Sequence, residues 1–362
     1  MLTSKLVSGL RAAGLVVLLL LSACAAQPGK FVYFSTAETH VFPKPPDVPR
    51  YRFVGILAGE ANFVTEQKKK LTAKKAFAWL VGLVAGKETP RRLERPQSGW
   101  TDPQTGTVYV ADVARKAVLV FDIRQGFLHF WDSAAKHQGF VTPIAVTGGP
   151  ENTLLVSDAD LRKVIVLDKA GKPLREIGHE SLIRPIGLVW DEDAGEIYVA
   201  DAQAHDIKVF SHHGLLKRTL GKKGQQNGEF IGPTHLAWYQ HRLYVTDTLN
   251  SRVQILDSEG KWLKTVGKRG MYIGELPRPK GVAVDNAGRL YIVESYHDYL
   301  LVYDAEGRFL LPIGGSGQEI GQFYLPAGVW VDNQRRVYVA DTFNSRVMVF
   351  EYLGDPTNNK SS

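Results

Sequence analysis

Carboxylate and imidazole side chains recur along this chain at spacings that could support metal binding or acid–base chemistry. Acids close strand-like runs at intervals of 43 to 47 residues, at Asp112, Asp158, Asp201, Asp247, Glu294 and Asp341. His205 lies four residues after its acid and His297 lies three residues after Glu294, with Asp298 beside it. We therefore predict His205, Glu294, His297 and Asp298 as candidate ligand-binding residues.

The acids belong to a repeating unit that must position them. In the last copy, Val337–Ala340 and Val347–Phe350 form strand-like runs on either side of a polar turn. Four antiparallel strands in about 45 residues are typical of a β-propeller blade. Because a catalytic residue breaks symmetry, whereas the five aspartates recur from copy to copy, we expect these aspartates to cap turns and to pair with arginines such as Arg252 and Arg346; Glu294 is the one departure.

The sixth copy ends before a fourth strand can form. Residues 52–59 resemble the fourth strands of other copies, so we predict that an N-terminal strand closes the ring. The predicted fold is all-β, a six-bladed β-propeller over residues 51–352. One short helical insertion is predicted at residues 60–94, and a flexible tail at residues 353–362.

The copies resemble NHL repeats. The resemblance rests on Pro279–Asp285, on Tyr244–Val253 and on Tyr338–Val347. It implies the six-bladed fold, and family members include binding scaffolds, whereas related propellers include lyases and hydrolases. His235 replaces the glycine of the family pattern, and we expect it to be a hydrogen-bonding or surface residue in a turn.

The segment that ends in His205, Val199–His205, is similar to the zinc-ligand motif of peptidyl-hydroxyglycine amidating lyases. Those six-bladed enzymes need matching histidines from three blades, and here only His205 has the matching position. We therefore predict no metal site and no cofactor, with zinc or calcium as the alternative.

The pattern of the N-terminal residues predicts that the protein is exported. Residues 1–23 read as a signal peptide, and Leu21-Ser22-Ala23-Cys24 resembles a bacterial lipobox. Cys24 is the only cysteine in the chain, as lipidation at this position requires. Ala25 in place of aspartate favours an outer-membrane lipoprotein that faces the periplasm. The proline-rich residues 24–50 are predicted to form an extended tether.

A basic and apolar segment inside the insertion belongs to no repeat. Lys69 and Lys70 precede Phe77 and Trp79, which makes these four residues a candidate dock for a membrane or a partner protein. The alternative is a helix packed on the propeller. The formal net charge of +7 is spread along the chain, and an exported lipoprotein does not normally meet RNA, so no nucleic-acid partner is predicted.

These patterns favour a non-catalytic, lipid-anchored scaffold that binds an envelope protein, peptide or glycan. The alternative is a lyase or hydrolase with a metal or a His/acid site at the central channel. That site would lie around His205, Glu294 and His297.

Overall fold

The computed structural model describes residues 28–64 and 91–355, which form a six-bladed β-propeller. The predicted signal peptide, Cys24 and the four candidate docking residues of the insertion lie outside this range. The described part of the insertion holds a short 3-10 helix, Glu60–Asn62, and a short strand, Phe63–Val64. Within the two described ranges, no helix has the length and apolar character needed to cross a membrane.

The first five blades are four-stranded antiparallel sheets whose strands follow one another along the chain. Each begins near the repeated proline and ends its second strand at the repeated acid. Blade 1 contains Pro96–Thr101, Val108–Asp112, Ala117–Asp122 and Phe127–Trp131. Blade 2 contains Pro143–Gly148, Leu154–Asp158, Lys163–Leu167 and Pro173–Ile177. Blade 3 contains Pro185–Asp191, Glu196–Asp201, Asp206–Ser211 and Leu216–Leu220. Blade 4 contains Pro233–Tyr239, Arg242–Asp247, Arg252–Asp257 and Trp262–Val266. Blade 5 contains Pro279–Val284, Leu290–Glu294, Tyr299–Tyr303 and Phe309–Gly314.

The sixth blade is built from both ends of the chain. Its first three strands are Val329–Val331, Arg336–Asp341 and Arg346–Tyr352. The fourth is Tyr51–Leu57, which pairs antiparallel with the third strand and so confirms the predicted closure of the ring. A fifth strand, Val41–Phe42, pairs with its outer edge.

Residues 28–50 lie against the propeller, which differs from the extended tether predicted from their prolines. Lys30–Phe31 pairs with Phe63–Val64, and Phe34 forms an isolated bridge with Ile56. Phe34 and Phe42 pack against the buried cluster between blades 5 and 6. The burial of these aromatic side chains outweighs the extended preference of the neighbouring prolines. The predicted tail also begins in contact with this N-terminal segment, since Leu353 N–H donates to Arg50 O at 2.8 Å.

The hydrophobic core is divided into six clusters, one between each pair of neighbouring blades. Strand residues alternate between these clusters because successive side chains point to opposite faces of a sheet. In blade 6, for example, Val339 contributes to the cluster shared with blade 5, whereas Tyr338 contributes to the cluster shared with blade 1. Each blade is thus buried on both faces, which fits the apolar character of the second and third strands.

The antiparallel register gives the ring two different faces. The linker face carries the repeated acids, the loops between second and third strands, and the linkers between blades; in blade 1, Pro96 pairs with Asp112 at this side. The turn face carries the short turns that join first to second strands and third to fourth strands. One example is the turn between Thr101 and Val108 in blade 1. The start of the described chain lies at the turn face, because Gly29 N–H donates to Gly126 O at 2.9 Å.

Candidate functional site

The repeated acids are buried, and their carboxylates accept hydrogen bonds from backbone N–H groups. Both oxygens of Asp112 accept N–H groups: Glu94 and Arg95 donate from the preceding linker at 2.7–3.1 Å, and Ala114 and Arg115 from the following turn at 3.0 Å. Burial raises the pKa of Asp112 although these hydrogen bonds act to lower it. The acid thus fixes the linker that leads into its own blade, which is a structural role.

Blades 4 and 6 add the arginine partners that the sequence predicts. Arg252 Nε donates to Asp247 Oδ2 at 2.9 Å, and Arg346 Nε donates to Asp341 Oδ2 at 2.7 Å. Each guanidinium also donates to carbonyl oxygens of the preceding linker; for Arg346 the nearest is the carbonyl of Gln318, at 2.8 Å. The predicted pairing is confirmed, and it joins the linker to the acid.

Glu294 and His297 lie together at the linker face. His297 Nδ1 is 3.0 Å from Glu294 Oε2, which also accepts the backbone N–H of His297 at 2.9 Å. Glu294 Oε1 accepts the N–H groups of Tyr296 and Arg278. This carboxylate therefore serves the same backbone role as the aspartates, with an imidazole added at its edge.

Asp298 does not join that pair. Its Oδ2 accepts the hydroxyl of Ser316 at 2.7 Å, and its Oδ1 accepts the N–H of Leu325 at 2.8 Å. Both partners belong to the linker between blades 5 and 6. Asp298 therefore holds this linker, and its side chain is nearly inaccessible, with 5% of the residue exposed.

His205 lies two blades away from Glu294 and also holds a linker. It adopts a left-handed backbone conformation with φ of 62°, and its Nδ1 accepts the N–H of Gly232 at 3.0 Å. Within residues 28–64 and 91–355, no three histidine, cysteine, aspartate or glutamate side chains are grouped so that they could hold a metal ion. His205, Glu294 and His297 therefore do not fit the three-ligand zinc arrangement of the amidating lyases.

The central channel is lined by the first strands and encloses about 200 Å³. His235 lies on this lining, and both of its ring nitrogens are buried with no hydrogen-bond partner in the described part of the chain. Burial, with a smaller contribution from Lys280, lowers the pKa of His235 to about 3. The expectation of a hydrogen-bonding or surface histidine is therefore wrong. At the same position of the repeat, Gly187 and Gly281 approach the backbone of the next blade so closely that a Cβ would collide with it.

A larger pocket, about 470 Å³ in volume, opens on the turn face between blades 1, 2 and 3. Its lining combines two tryptophans with charged and amide side chains. The lining residues are Trp100, Asp102, Pro103, Gln104, Gly148, Gly149, Asn152, Thr153, Lys169, Trp190 and Glu192. We refer to it as the tryptophan pocket.

Charged groups inside the tryptophan pocket are held in place by one another. Lys169 Nζ lies 2.9 Å from Asp102 Oδ2 and 4.8 Å from the ring centroid of Trp100. Burial alone would raise the pKa of Asp102, but hydrogen bonds from Lys169 and from the N–H of Gln104 outweigh it and lower that pKa. Asp102 and Lys169 are therefore an ion pair at neutral pH, which fixes one wall of the pocket.

Two glycines at the end of the first strand of blade 2, Gly148 and Gly149, allow neighbouring side chains to pack against its backbone. A Cβ at Gly148 would lie 2.7 Å from the ring of Trp100, and a Cβ at Gly149 would lie 2.8 Å from Leu155 Cγ. Larger residues at these two positions would push into the pocket wall. Gly148 and Gly149 therefore let Trp100 and Leu155 pack directly against the backbone of blade 2 at the pocket wall.

Four tryptophans lie near the turn-face end of the first strands, and two of them stack on a tyrosine within about 5 Å. Trp330 stacks on Tyr338 with centroids 5.2 Å apart and donates its Nε1–H to Thr101 Oγ1 at 3.1 Å. Trp238 stacks on Tyr198 at 5.0 Å. Trp100 and Trp190 remain half-buried and line the pocket. The sequence analysis missed this site, although all four tryptophans follow the repeated proline by four or five residues.

The fold defines the chain as a six-bladed propeller. A family model, DUF5128, described as a 6-bladed beta-propeller, matches residues 275–360, about a quarter of the chain. No curated protein sequence matches the chain significantly. The described fold of this family agrees with the six blades of the structure. The matched residues cover blades 5 and 6.

Solved structures with the same fold have varied functions. A streptogramin B lyase is 13% identical, with a TM-score of 0.53 over 72% of this chain and 94% of the lyase. A gluconolactonase from Xanthomonas campestris is 16% identical, with a TM-score of 0.54 over 72% of this chain and 86% of the enzyme. An auxiliary nutrient binding protein from Bacteroides thetaiotaomicron is 13% identical, with a TM-score of 0.57 over 72% of this chain and 69% of that protein. At these identities the similarity concerns the fold alone.

Proposed function

We propose that the protein is a lipid-anchored, non-catalytic propeller of NHL type that binds a peptide, protein or glycan of the cell envelope in the tryptophan pocket. The observation that carries this proposal is the pocket itself. It is concave, it breaks the sixfold repetition, and it places aromatic rings beside polar side chains, as ligand sites commonly do.

The linker face supports the non-catalytic part of the proposal. His205 Nδ1 and both oxygens of Glu294 already accept backbone N–H groups, so their basic atoms are engaged in holding loops. A general base needs a free acceptor within reach of the proton that it removes, and of His205, Glu294 and His297 only the last, through its Nε2, has one among the described residues. The neighbouring folds include a lyase, a gluconolactonase and a nutrient binding protein, and a binding role is compatible with that range.

Export and lipidation remain part of the proposal because of the sequence Leu21-Ser22-Ala23-Cys24. Expression in a bacterial host with radiolabelled palmitate tests this part. Wild-type protein should carry the label and fractionate with membranes, whereas Cys24→Ser should lose both properties. Unlabelled wild-type protein in the soluble fraction would contradict the anchor.

Binding is tested with the folded propeller and pools of envelope peptides, proteins and glycans. We expect one pool to raise the midpoint of thermal unfolding of the wild type, because a ligand that binds only the native state stabilises it. Trp190→Ala should abolish the shift, and Trp262→Ala, a half-exposed tryptophan of the outer strand of blade 4, should keep it.

Mass spectrometry of the recovered ligand separates binding from turnover. An intact ligand supports the binding proposal. Chemical conversion of the ligand that is lost in His297→Ala would overturn it in favour of the alternative, a lyase or hydrolase at the linker face.

A further inference from the structure

We infer that the ligand of the tryptophan pocket is an uncharged saccharide, bound with one sugar ring against Trp190. This inference rests on the proposed binding function and names the class of ligand. Three properties of the pocket support it: which of its charges are already paired, which of its aromatic faces are already covered, and which of its polar side chains have no partner.

The charges of the pocket disfavour an anionic ligand. The ammonium of Lys169 is already paired with Asp102 at 2.9 Å, so it offers little attraction to a phosphate or carboxylate. Glu192 is exposed at the same pocket and adds a negative charge. An anion that entered would therefore meet a site with net negative charge.

The aromatic rings disfavour a cationic ligand. A cation binds best against a free aromatic face, but Lys169 Nζ already lies 4.8 Å from the Trp100 centroid and 5.6 Å from that of Tyr109. A second cation would be repelled by that ammonium. Trp190 packs against the buried cluster between blades 2 and 3 and carries no such cation among the described residues. Its remaining surface is thus available to the face of a ligand ring, and choline tests whether a cation competes for it.

The free polar groups match hydroxyls. Within the described part of the chain, the side chains of Gln104, Asn152 and Glu192 make no hydrogen bond or ion pair, and all three line the pocket. The two amides can both donate to and accept from a polyol, and the carboxylate of Glu192 can accept from its hydroxyls, several of which surround one ring. The C–H face of that ring supplies the apolar surface that an indole binds, so one sugar uses both kinds of group.

The size of the pocket favours a small ligand over a protein surface. Its volume of about 470 Å³ falls in the range of small-molecule sites, and it is concave. Docking of a protein needs about 800 Å² on each partner. A peptide would also need partners for its backbone N–H and C=O groups, and here Lys169, Asp102 and Thr153 are already engaged.

The inference is tested by isothermal titration of the folded chain with chitotetraose, cellotetraose, maltotetraose and the neutral oligosaccharides released from bacterial envelopes. Choline, inorganic phosphate and a tetra-alanine peptide serve as comparison ligands. At least one saccharide should bind, and none of the three comparison ligands should. Trp190→Ala and Gly148→Val should each weaken saccharide binding at least tenfold, the first by removing the ring and the second by displacing Trp100 from the pocket wall.

Controls separate the site from the fold. Trp262→Ala removes a tryptophan of the outer strand of blade 4 and should leave saccharide affinity unchanged. Trp190→Phe keeps an aromatic ring in the wall and should retain part of the affinity, so that a folding defect in Trp190→Ala is recognised.

The outcomes are distinguishable. A peptide, phosphate or choline that binds in a Trp190-dependent way would overturn the saccharide inference and leave the binding function standing. Saccharide binding that is unchanged in both Trp190→Ala and Gly148→Val would overturn this pocket as its site. If no ligand of any class binds, the inference and the proposed function both fail.

Discussion

The five buried aspartates of the repeat are held in one of two ways. Asp112 and Asp158 are held by backbone N–H groups alone, four in each case. Asp341 instead combines backbone donors with Arg346, of which 5% is exposed. Removal of the guanidinium would leave a carboxylate buried at the linker face without its charged partner.

Arg346→Met should therefore destabilise the protein by about 3–5 kcal/mol, since breaking a buried ion pair leaves an uncompensated charge. Three linker carbonyl bonds are lost with it. Denaturant unfolding measures the effect. Arg308→Met removes an arginine that is exposed on blade 5 and should leave the unfolding midpoint unchanged. Equal effects in both variants would contradict the role of Arg346.

His235 gives a prediction about pH. Its pKa is about 3 in the folded chain against 6.5 in the unfolded chain, so the unfolded state binds more protons between these values. Stability should fall as the pH decreases from 6.5 towards 3, by about 3 kcal/mol at pH 4.5 from this group alone. His235→Phe keeps a ring but cannot be protonated, and should lose this share of the acid sensitivity.

The same variant should be more stable at pH 7, because it removes two buried nitrogens without partners, each with a cost of about 1–3 kcal/mol. Chemical unfolding at pH 7 and pH 4.5, for both proteins, measures the difference. If the free energy of unfolding of wild type and variant changed in parallel with pH, the lowered pKa of His235 would be contradicted.

At the scale of elements, the closing strand Tyr51–Leu57 depends on a glycine. Gly55 has φ of 153°, and a Cβ there would lie 2.6 Å from Tyr33 Cβ and 2.8 Å from Phe34 O. The strand is thus sandwiched between its partner Arg346–Tyr352 and the N-terminal segment, at a point where only a residue without a side chain fits.

Gly55→Val should cost about 1–3 kcal/mol in backbone strain alone. It should also detach residues 28–42 from the blade, which limited proteolysis would show as early cleavage in this segment. Gly139 lies in a small hairpin after blade 1, in which Ser133–Ala135 pairs with Gln138–Gly139. A Cβ there would meet only Asp132 O, at 3.2 Å, so Gly139→Ala should behave as the wild type. Unchanged protease resistance in Gly55→Val would contradict the packing.

The sequence was sufficient for the blades because their signals are local and repeated. Proline, acid and closing apolar residue mark the first three strands in each copy, and Tyr51–Leu57 carries the pattern of a fourth strand. The N-terminal packing was not predictable, because Phe34 and Phe42 lie among prolines and have no periodicity. The pocket was not predictable either, because Trp100 and Trp190 have the same local pattern as Trp238 and Trp330, which do not line it. Only the three-dimensional contacts distinguish these two pairs.

At the scale of the whole molecule, the proposed anchor at Cys24 would lie on the same side as the pocket. Gly29 contacts Gly126 in a turn of blade 1 at the turn face. Cys24 precedes Gly29 by five residues, which span at most about 18 Å when extended. A lipid on Cys24 would therefore hold the turn face, with its tryptophan pocket, close to the membrane surface.

Single cysteines can test this orientation, since Cys24 is the only natural one and would carry the lipid. In proteoliposomes, a bulky maleimide should label Gln225→Cys at the linker face faster than Gln104→Cys at the turn face. Detergent should make the two rates equal. Equal rates in the intact proteoliposomes would contradict a membrane-facing pocket.

The closing strand also sets an order of events during synthesis. The partner of Tyr51–Leu57, Arg346–Tyr352, is synthesised almost 300 residues later. Until then the early strand has an unpaired edge, a state in which strands pair with other chains. A truncated product that ends before residue 346 should therefore aggregate or be degraded rather than persist as a five-bladed protein.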